Sequence, residues 1–200
     1  IVLSEYMAQA IQQSGLDQTV VIPPPVPVGP PKDAAGYGFL MAGRMVRHKA
    51  PTMAHRAWKQ SGTTQPLRIA GLGSEKAALA DTIDLGWLTR PQLRQAMAAS
   101  RAFLFPSRWQ EPFGIAGVEA LAMGTPVIAI PRGGMPDWCH TGCIRVESVS
   151  EMTDAIRYLD ENPEEAIKLG HSGAEAVREQ FSPTRVHQML QSTYADCSNH

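Results

Sequence analysis

The sequence predicts an α/β fold: a doubly wound, Rossmann-like parallel sheet of about six strands with an extra helix towards each terminus. Three observations predict it. Short apolar runs alternate regularly with segments of helical period between Tyr37 and Asp160. The helical segments run to about three turns, long enough for right-handed crossovers between parallel strands. Glycines and charged residues collect in the loops that follow apolar runs, where ligands bind in sheets of this kind.

Each element has its own signal. Ser4 is placed to cap a helix running to about Ser14, with Tyr6, Met7, Ala10 and Ile11 on one face and Gly15 at its end. Val20 to Ile22 leads into Pro23-Pro-Pro-Val-Pro-Val-Gly-Pro-Pro31, where six prolines in nine residues exclude helix and central strand. An extended connector over residues 23–36 is expected, with a domain boundary there. The apolar runs Tyr37–Ala42, Leu67–Ala70, Ile83–Leu88, Ala102–Phe105, Pro126–Ile130 and Cys143–Val146 read as strands. Helices are expected at Pro51–Gln60, Ser74–Asp81, Pro91–Ser100, Ile115–Met123 and Glu151–Asp160, then at Glu164–Gln180 and Pro183–Tyr194. Thr89 with Gln92 fits a capping box, and Met152, Ala155, Ile156 and Leu159 form an i, i+3, i+4, i+7 stripe.

Composition narrows the function classes. With 44% hydrophobic and 18% charged residues, 200 residues can bury one good core, so a disordered or fibrous chain is excluded. A formal charge of −1 supplies no global pull on nucleic acid or an anionic membrane, so a bound anion needs a local cluster. No apolar run approaches the ~18 residues of a membrane span, and Ile1 to Leu3 is too short for a signal-peptide core. A soluble, cytoplasmic protein is expected. Cys139, Cys143 and Cys197 are too few for a disulfide framework. Cys139-His140-Thr-Gly-Cys143 offers one metal-ligand pair, which Cys197 or His200 would have to complete; buried or idle thiols, with no metal site, are the preferred reading.

Four loops carry unusual residues. The first strand runs into Gly43-Arg44-Met-Val-Arg47-His48-Lys49, whose guanidinium forks and point charge suit a diphosphate, although a solvated basic loop has the same composition. Gly71-Leu-Gly73 after the next strand lacks the third glycine of a dinucleotide fingerprint and reads equally as a close strand-to-helix turn. After the fourth strand, Glu111-Pro-Phe-Gly114 opens a helix carrying Glu119. The helix start at Phe113 to Ile115 leaves backbone N–H groups free and forms an anion site. Glu111 and Glu119, up to ~12 Å apart at helical rise, are spaced to hold separate sets of hydroxyls rather than to share a metal. The fifth strand ends in Gly133-Gly134, a turn beside the same crevice.

On these residues the sequence resembles the family 4 retaining glycosyltransferases of the GT-B fold, a group related to sucrose and glycogen synthases. The resemblance spans nearly the whole chain. It rests on the E-x7-E segment Glu111 to Glu119 with Glu-Pro-Phe-Gly and Glu-Ala-Leu-Ala-Met-Gly124, supported by Gly43-Arg44 with Lys49, Gly71-Leu-Gly73, Gly86-Trp-Leu88, Phe105-Pro-Ser107 and Gly133-Gly134. It implies the C-terminal, nucleotide-sugar-binding domain of such an enzyme, over residues 37–182, and makes residues 1–22 the remnant of an acceptor-binding N-terminal domain. Ile1, in place of Met, is expected to lie inside a longer reading frame. Residues 183–200 are read as a C-terminal helix and tail, whose segment Pro183–Tyr194 packs back toward the first domain in such enzymes and is expected here to be loose or in contact with another copy of the chain.

By the same resemblance Glu111 contacts the donor sugar, Glu119 holds the ribose, and Arg44 and Lys49 bind the diphosphate, so that Glu111, Arg44 and Lys49 carry the catalysis. Gly43, the amides of Phe113, Gly114 and Ile115, and Gly133 and Gly134 complete the donor site, with Trp87 and Leu88 beside the base. Ala50 and Asp137 depart from the family's usual Gly and Glu. The implied reaction transfers sugar from a UDP-, GDP- or ADP-sugar to a saccharide, lipid or small-molecule hydroxyl, with retention and no cofactor. No Asp-x-Asp triplet occurs, in keeping with a metal-independent site. A nucleotide-sugar epimerase of the same architecture and a non-catalytic nucleotide-binding module are the alternatives.

Overall fold

The computed structural model describes residues 1–16, 18–30 and 32–198. Six strands form one all-parallel sheet: β1 (Phe39–Ala42), β2 (Leu67–Ala70), β3 (Ile83–Gly86), β4 (Ala102–Phe105), β5 (Val127–Ala129) and β6 (Cys143–Arg145). Their spatial order is β3-β2-β1-β4-β5-β6. The doubly wound class expected from the sequence is therefore the observed one. Between the strands run α2 (Pro51–Ser61), α3 (Arg90–Ala98) and α4 (Ile115–Ala122). After them come α5 (Val149–Glu161), α6 (Pro163–Phe181) and α7 (Pro183–Ser198), and α1 (Glu5–Gln12) precedes the sheet.

Alternation along the strands builds two cores, because successive side chains leave opposite faces. Phe39, Met41, Leu67, Ile69, Leu104 and Ile128 pack under α2 and α5, with Ala54, Ala57, Met152 and Ile156. Leu40, Phe103, Phe105 and Val127 face the other layer, where Met97, Val118, Leu121 and Val177 of α3, α4 and α6 cover them. Both faces of the central strands are apolar, as a parallel sheet requires.

One expected helix is absent. Ser74–Asp81 forms only the 3-10 turn Lys76–Ala78. Gly73 at φ 155° and Asp81 at φ 62° bracket the segment in conformations no α-helix continues, and the Glu75 N–H is committed to Met45 O at 2.9 Å. The β3 strand stops at Gly86, φ 65°, two residues short of the expected end, and β1 starts at Phe39 instead of Tyr37.

The N-terminal segment and the proline stretch are held against the domain. Val2 pairs with Val21, the Ser4 hydroxyl donates to Pro112 O (2.5 Å), and the Glu5 N–H at the start of α1 donates to Asp137 Oδ2 (2.9 Å). Residues 23–36 contain no helix or strand among those described. Val26 is nevertheless fully buried with its N–H on Phe181 O, and the Gly29 N–H reaches Ala122 O.

Candidate functional site at the β1–β4 crevice

Chains leaving adjacent parallel strands on opposite faces open a crevice at the strands' carboxyl ends. Here that point lies between β1, which feeds α2, and β4, which feeds α4 on the other face. Beyond β1, Gly43 turns at φ 137°, and the chain enters the 3-10 turn Arg47–Lys49. Ala50 closes that turn and begins α2 at φ 50°, a left-handed conformation that costs an alanine roughly 1–2 kcal/mol. Beyond β4, Pro106 and Ser107 lead to Glu111, and Gly114 (φ 83°) opens α4. The result is a cleft of about 390 Å³.

Seven residues singled out in the sequence line it: Gly43, Arg44, Lys49, Glu111, Phe113, Gly114 and Ile115. The Lys49 ammonium forms an ion pair with Glu111 Oε1, and the fully buried Ser107 hydroxyl donates to the same oxygen at 2.6 Å. Glu111 is 6% exposed, so its charge is taken out of water and depends on these two donors. Arg44 stands exposed at the rim, its guanidinium unpartnered among the described residues. The Gly117 N–H donates to Gly114 O at 3.0 Å, whereas the Ile115 and Ala116 amides have no backbone acceptor among the described residues and sit at the positive end of the helix dipole. Two cations, a carboxylate and a helix start thus share one cavity, suited to an anion that also carries hydroxyls.

A buried scaffold holds this arrangement. Trp138 donates its indole N–H to Phe113 O at 2.6 Å and fills the space beside Gly117, where an added Cβ would lie 2.2 Å from the ring. Gly133 and Gly134 lie behind the cleft. The Gly134 N–H donates to Glu111 O at 2.7 Å, and a Cβ on Gly133 would stand 2.3 Å from that oxygen. They set the backbone that aims Glu111. Glu119 is half-buried on α4 and does not line the cleft. Trp87, 74% exposed, and Leu88 follow β3, two strands away from β1.

A family model described as glycosyl transferases group 1 matches residues 36–162, which contain the whole sheet and every crevice-lining residue except Leu3 and Pro24. The chain belongs to this family. Among curated relatives, the D-inositol 3-phosphate glycosyltransferase of Corynebacterium aurimucosum is 26% identical over 176 residues, covering 77% of this chain and 42% of that protein. The alpha-maltose-1-phosphate synthase of Mycobacterium tuberculosis H37Rv is 32% identical over 105 residues, 48% of this chain and 27% of that enzyme. The matches to these two relatives span less than half of their length.

Solved glycosyltransferases share the fold. A mutant of S. aureus TarM in complex with fondaparinux, α-GlcNAc-glycerol and UDP superposes with a TM-score of 0.83 at 19% identity, over 96% of this chain and 42% of TarM. Anabaena HepE in complex with UDP and glucose gives 0.71 at 17% identity, over 96% and 52% of the two chains. The group 1 domain described here is thus a GT-B glycosyltransferase domain in fold.

Sequence reasoning missed three parts of the site. Ser107 stood in the quoted Phe105-Pro-Ser107 segment, but nothing local marks it as the partner of Glu111. Leu3 and Pro24 line the cleft although they lie in the segments assigned to another domain and to a connector. The preferred reading of the cysteines concerns described residues in part: Cys139 and Cys143 are free thiols, and no cluster of three or more metal-binding side chains occurs among the described residues. The thiols are hydrogen-bonded to each other, which lowers the pKa of Cys139 and, together with burial, raises that of Cys143. The Cys197 side chain and His200 lie outside the described residues. No described helix is long and apolar enough to cross a membrane.

Proposed function

We propose that this domain binds the donor of a sugar-transfer reaction, a nucleoside diphosphate sugar, and contributes the donor half of a retaining, metal-independent transfer to an acceptor hydroxyl. The observation that carries the reading is the Lys49–Glu111 ion pair in the crevice beside the open start of α4. A diphosphate in that cleft meets Lys49, Arg44 and the α4 amides, which favour the negative charge that grows on it as the glycosidic bond breaks. Lys49, held by Glu111, and the helix dipole do this with little reorganisation, so they lower the barrier instead of only tightening binding. Glu111 keeps one oxygen on Lys49 and Ser107 and offers the other to the sugar hydroxyls. Glu119, one to two turns along α4, would hold the ribose, and Trp87 and Leu88 the base. The UDP bound in the TarM and HepE structures supports a nucleotide donor for this fold.

Acceptor binding is assigned to a second domain across the cleft, in keeping with relatives more than twice the matched length. Its positioning of the acceptor supplies a further share of the barrier reduction. The test is calorimetry with UDP, GDP, ADP and their sugar conjugates in chelator. Heat or a rise in melting temperature with at least one of them is expected, since a ligand that binds only the native state stabilises it. Silence from all of them at millimolar concentration, with the protein folded, would refute the proposal.

A further inference from the structure

Behind the 3-10 turn Arg47–Lys49 lies a second cavity of about 480 Å³ that shares no lining residue with the donor cleft. Arg47, Arg56 and Arg108 line it, together with Thr52, Glu75 and Val149. The arginines come from three places: the turn after β1, the second turn of α2 and the loop after β4. Their backbones are fixed, because the Arg108 N–H donates to His48 O at 2.9 Å and the other two sit in helical turns. None of the three guanidinium groups has a hydrogen bond or ion pair among the described residues, and all three are exposed. Thr52 belongs to the first turn of α2 and Val149 is the first residue of α5, so the positive ends of two helix dipoles converge on the same space.

The nearby acids leave this charge in place. Glu75 is the single carboxylate in the lining, against three cations. Glu151 is turned back onto its own helix start, where it accepts from the Glu147 N–H (3.0 Å) and the Ser148 hydroxyl (2.9 Å). A protein of net charge −1 that leaves three neighbouring guanidinium groups unpaired around a cavity bears a repulsion that a bound dianion would relieve.

The geometry points to a second binding site, for a small phosphomonoester. Its phosphoryl group would lie between Arg47, Arg56 and Arg108 at the α2 start, and its hydroxyls within reach of Thr52 and Glu75. Planar guanidinium forks suit phosphate oxygens, and a walled cavity suits a small molecule better than a flat anionic surface. The site stands independently of the donor reading, because the two linings are disjoint.

The test titrates glycerol 3-phosphate and, separately, inorganic phosphate into the chain at low salt, following amide chemical shifts and heat. Glycerol 3-phosphate is expected to move the amides of Thr52, Glu75 and Arg108, and to bind Lys49→Met as tightly as the wild type. Arg56→Gln with Arg108→Gln should weaken it by about tenfold or more, while nucleotide binding and melting temperature stay unchanged, since both side chains are exposed. Inorganic phosphate binding as tightly would show that the phosphoryl group alone carries recognition, and would support the site. Binding that Lys49→Met abolishes or UDP displaces would place the phosphate in the donor cleft and overturn the proposal. Absence of binding, or binding only of phosphatidylglycerol vesicles without competition from glycerol 3-phosphate, would overturn it too.

Discussion

The two ends of the sheet use the same residue types for opposite purposes. At the amino ends of the strands, Lys32, Arg68 and Arg101 are spent on the chain itself. Arg101 donates to Gly36 O (2.9 Å), Leu159 O (2.9 Å) and Asp160 O (3.1 Å), closing the carboxyl end of α5. Arg68 reaches Tyr37 O and the Ser100 hydroxyl, and Lys32 reaches Ser100 O and the Thr125 hydroxyl. At the carboxyl ends, Arg44, Arg47, Arg56 and Arg108 have no such partners among the described residues, and Lys49 has only Glu111. Cations bonded to carbonyls and hydroxyls of the chain hold a fold together, whereas cations left open around cavities are available to an anion. Charge type alone does not separate the two classes; the acceptors supplied by neighbouring elements do.

The strongest way to break this comparison is at Arg101. Replacing it with Met leaves three carbonyls without their charged donor, and a loss of at least about 3 kcal/mol in urea unfolding is expected. Nucleotide binding at native conditions should survive. A small loss of stability, or a selective loss of nucleotide binding, would erase the distinction between the ends.

At the opposite end, Glu111→Ala should weaken sugar nucleotides by about 1.5–3 kcal/mol in calorimetry, while a bare nucleoside diphosphate loses less. Glu119→Ala should weaken both alike. Equal losses for both ligands in the Glu111 variant would remove Glu111 from the sugar.

Lys32 sharpens the amino-end half of the argument through pH. Burial, with Arg101 and Arg68 nearby, lowers its pKa from 10.5 to about 8. Between those values the unfolded chain holds a proton that the folded chain has shed, so stability rises with pH across that window and the cost of the charged form is complete below it. The gain is on the order of 1–2 kcal/mol once solvent screening of this half-buried group is counted. Lys32→Met should abolish that slope in melting experiments between pH 8 and 10.5; a slope that persists would place its origin elsewhere.

The smallest effect on stability belongs to Arg44→Ser, within about 0.5 kcal/mol because the side chain is exposed and unpartnered. The same variant should lower nucleoside diphosphate affinity about tenfold through the lost charged contact. A change in stability without a change in affinity would make Arg44 a structural residue like those at the amino ends.

Much of this was legible in the sequence. The short apolar runs alternating with three-turn helical segments identified all six strands, and the Glu111-to-Glu119 segment pointed to the loop that forms the cleft. At Ser74–Asp81 length and composition suit a helix, but Gly73 and Asp81 take positive φ and the Glu75 N–H is committed to Met45 O in the turn after β1. The separation of Trp87 and Leu88 from the cleft lining has a different cause, strand order, which no local pattern encodes, while Glu119 lies outside the lining because it sits about a turn beyond the start of α4.

By itself the sequence determined the six strands, every helix but the one expected at Ser74–Asp81, and where a helix opens with free amides after Glu111, because hydrophobic period and turn chemistry act within about ten residues. The tertiary structure decided that β1 lies beside β4, that Lys49 meets Glu111 across 62 positions of chain, and that Leu3 and Pro24 close over the same cavity. It also decided which arginines find carbonyls and which face open space. Those outcomes depend on how crossovers stack helices on a twisted sheet, so they arise from packing among distant segments and leave no mark in any short stretch of residues.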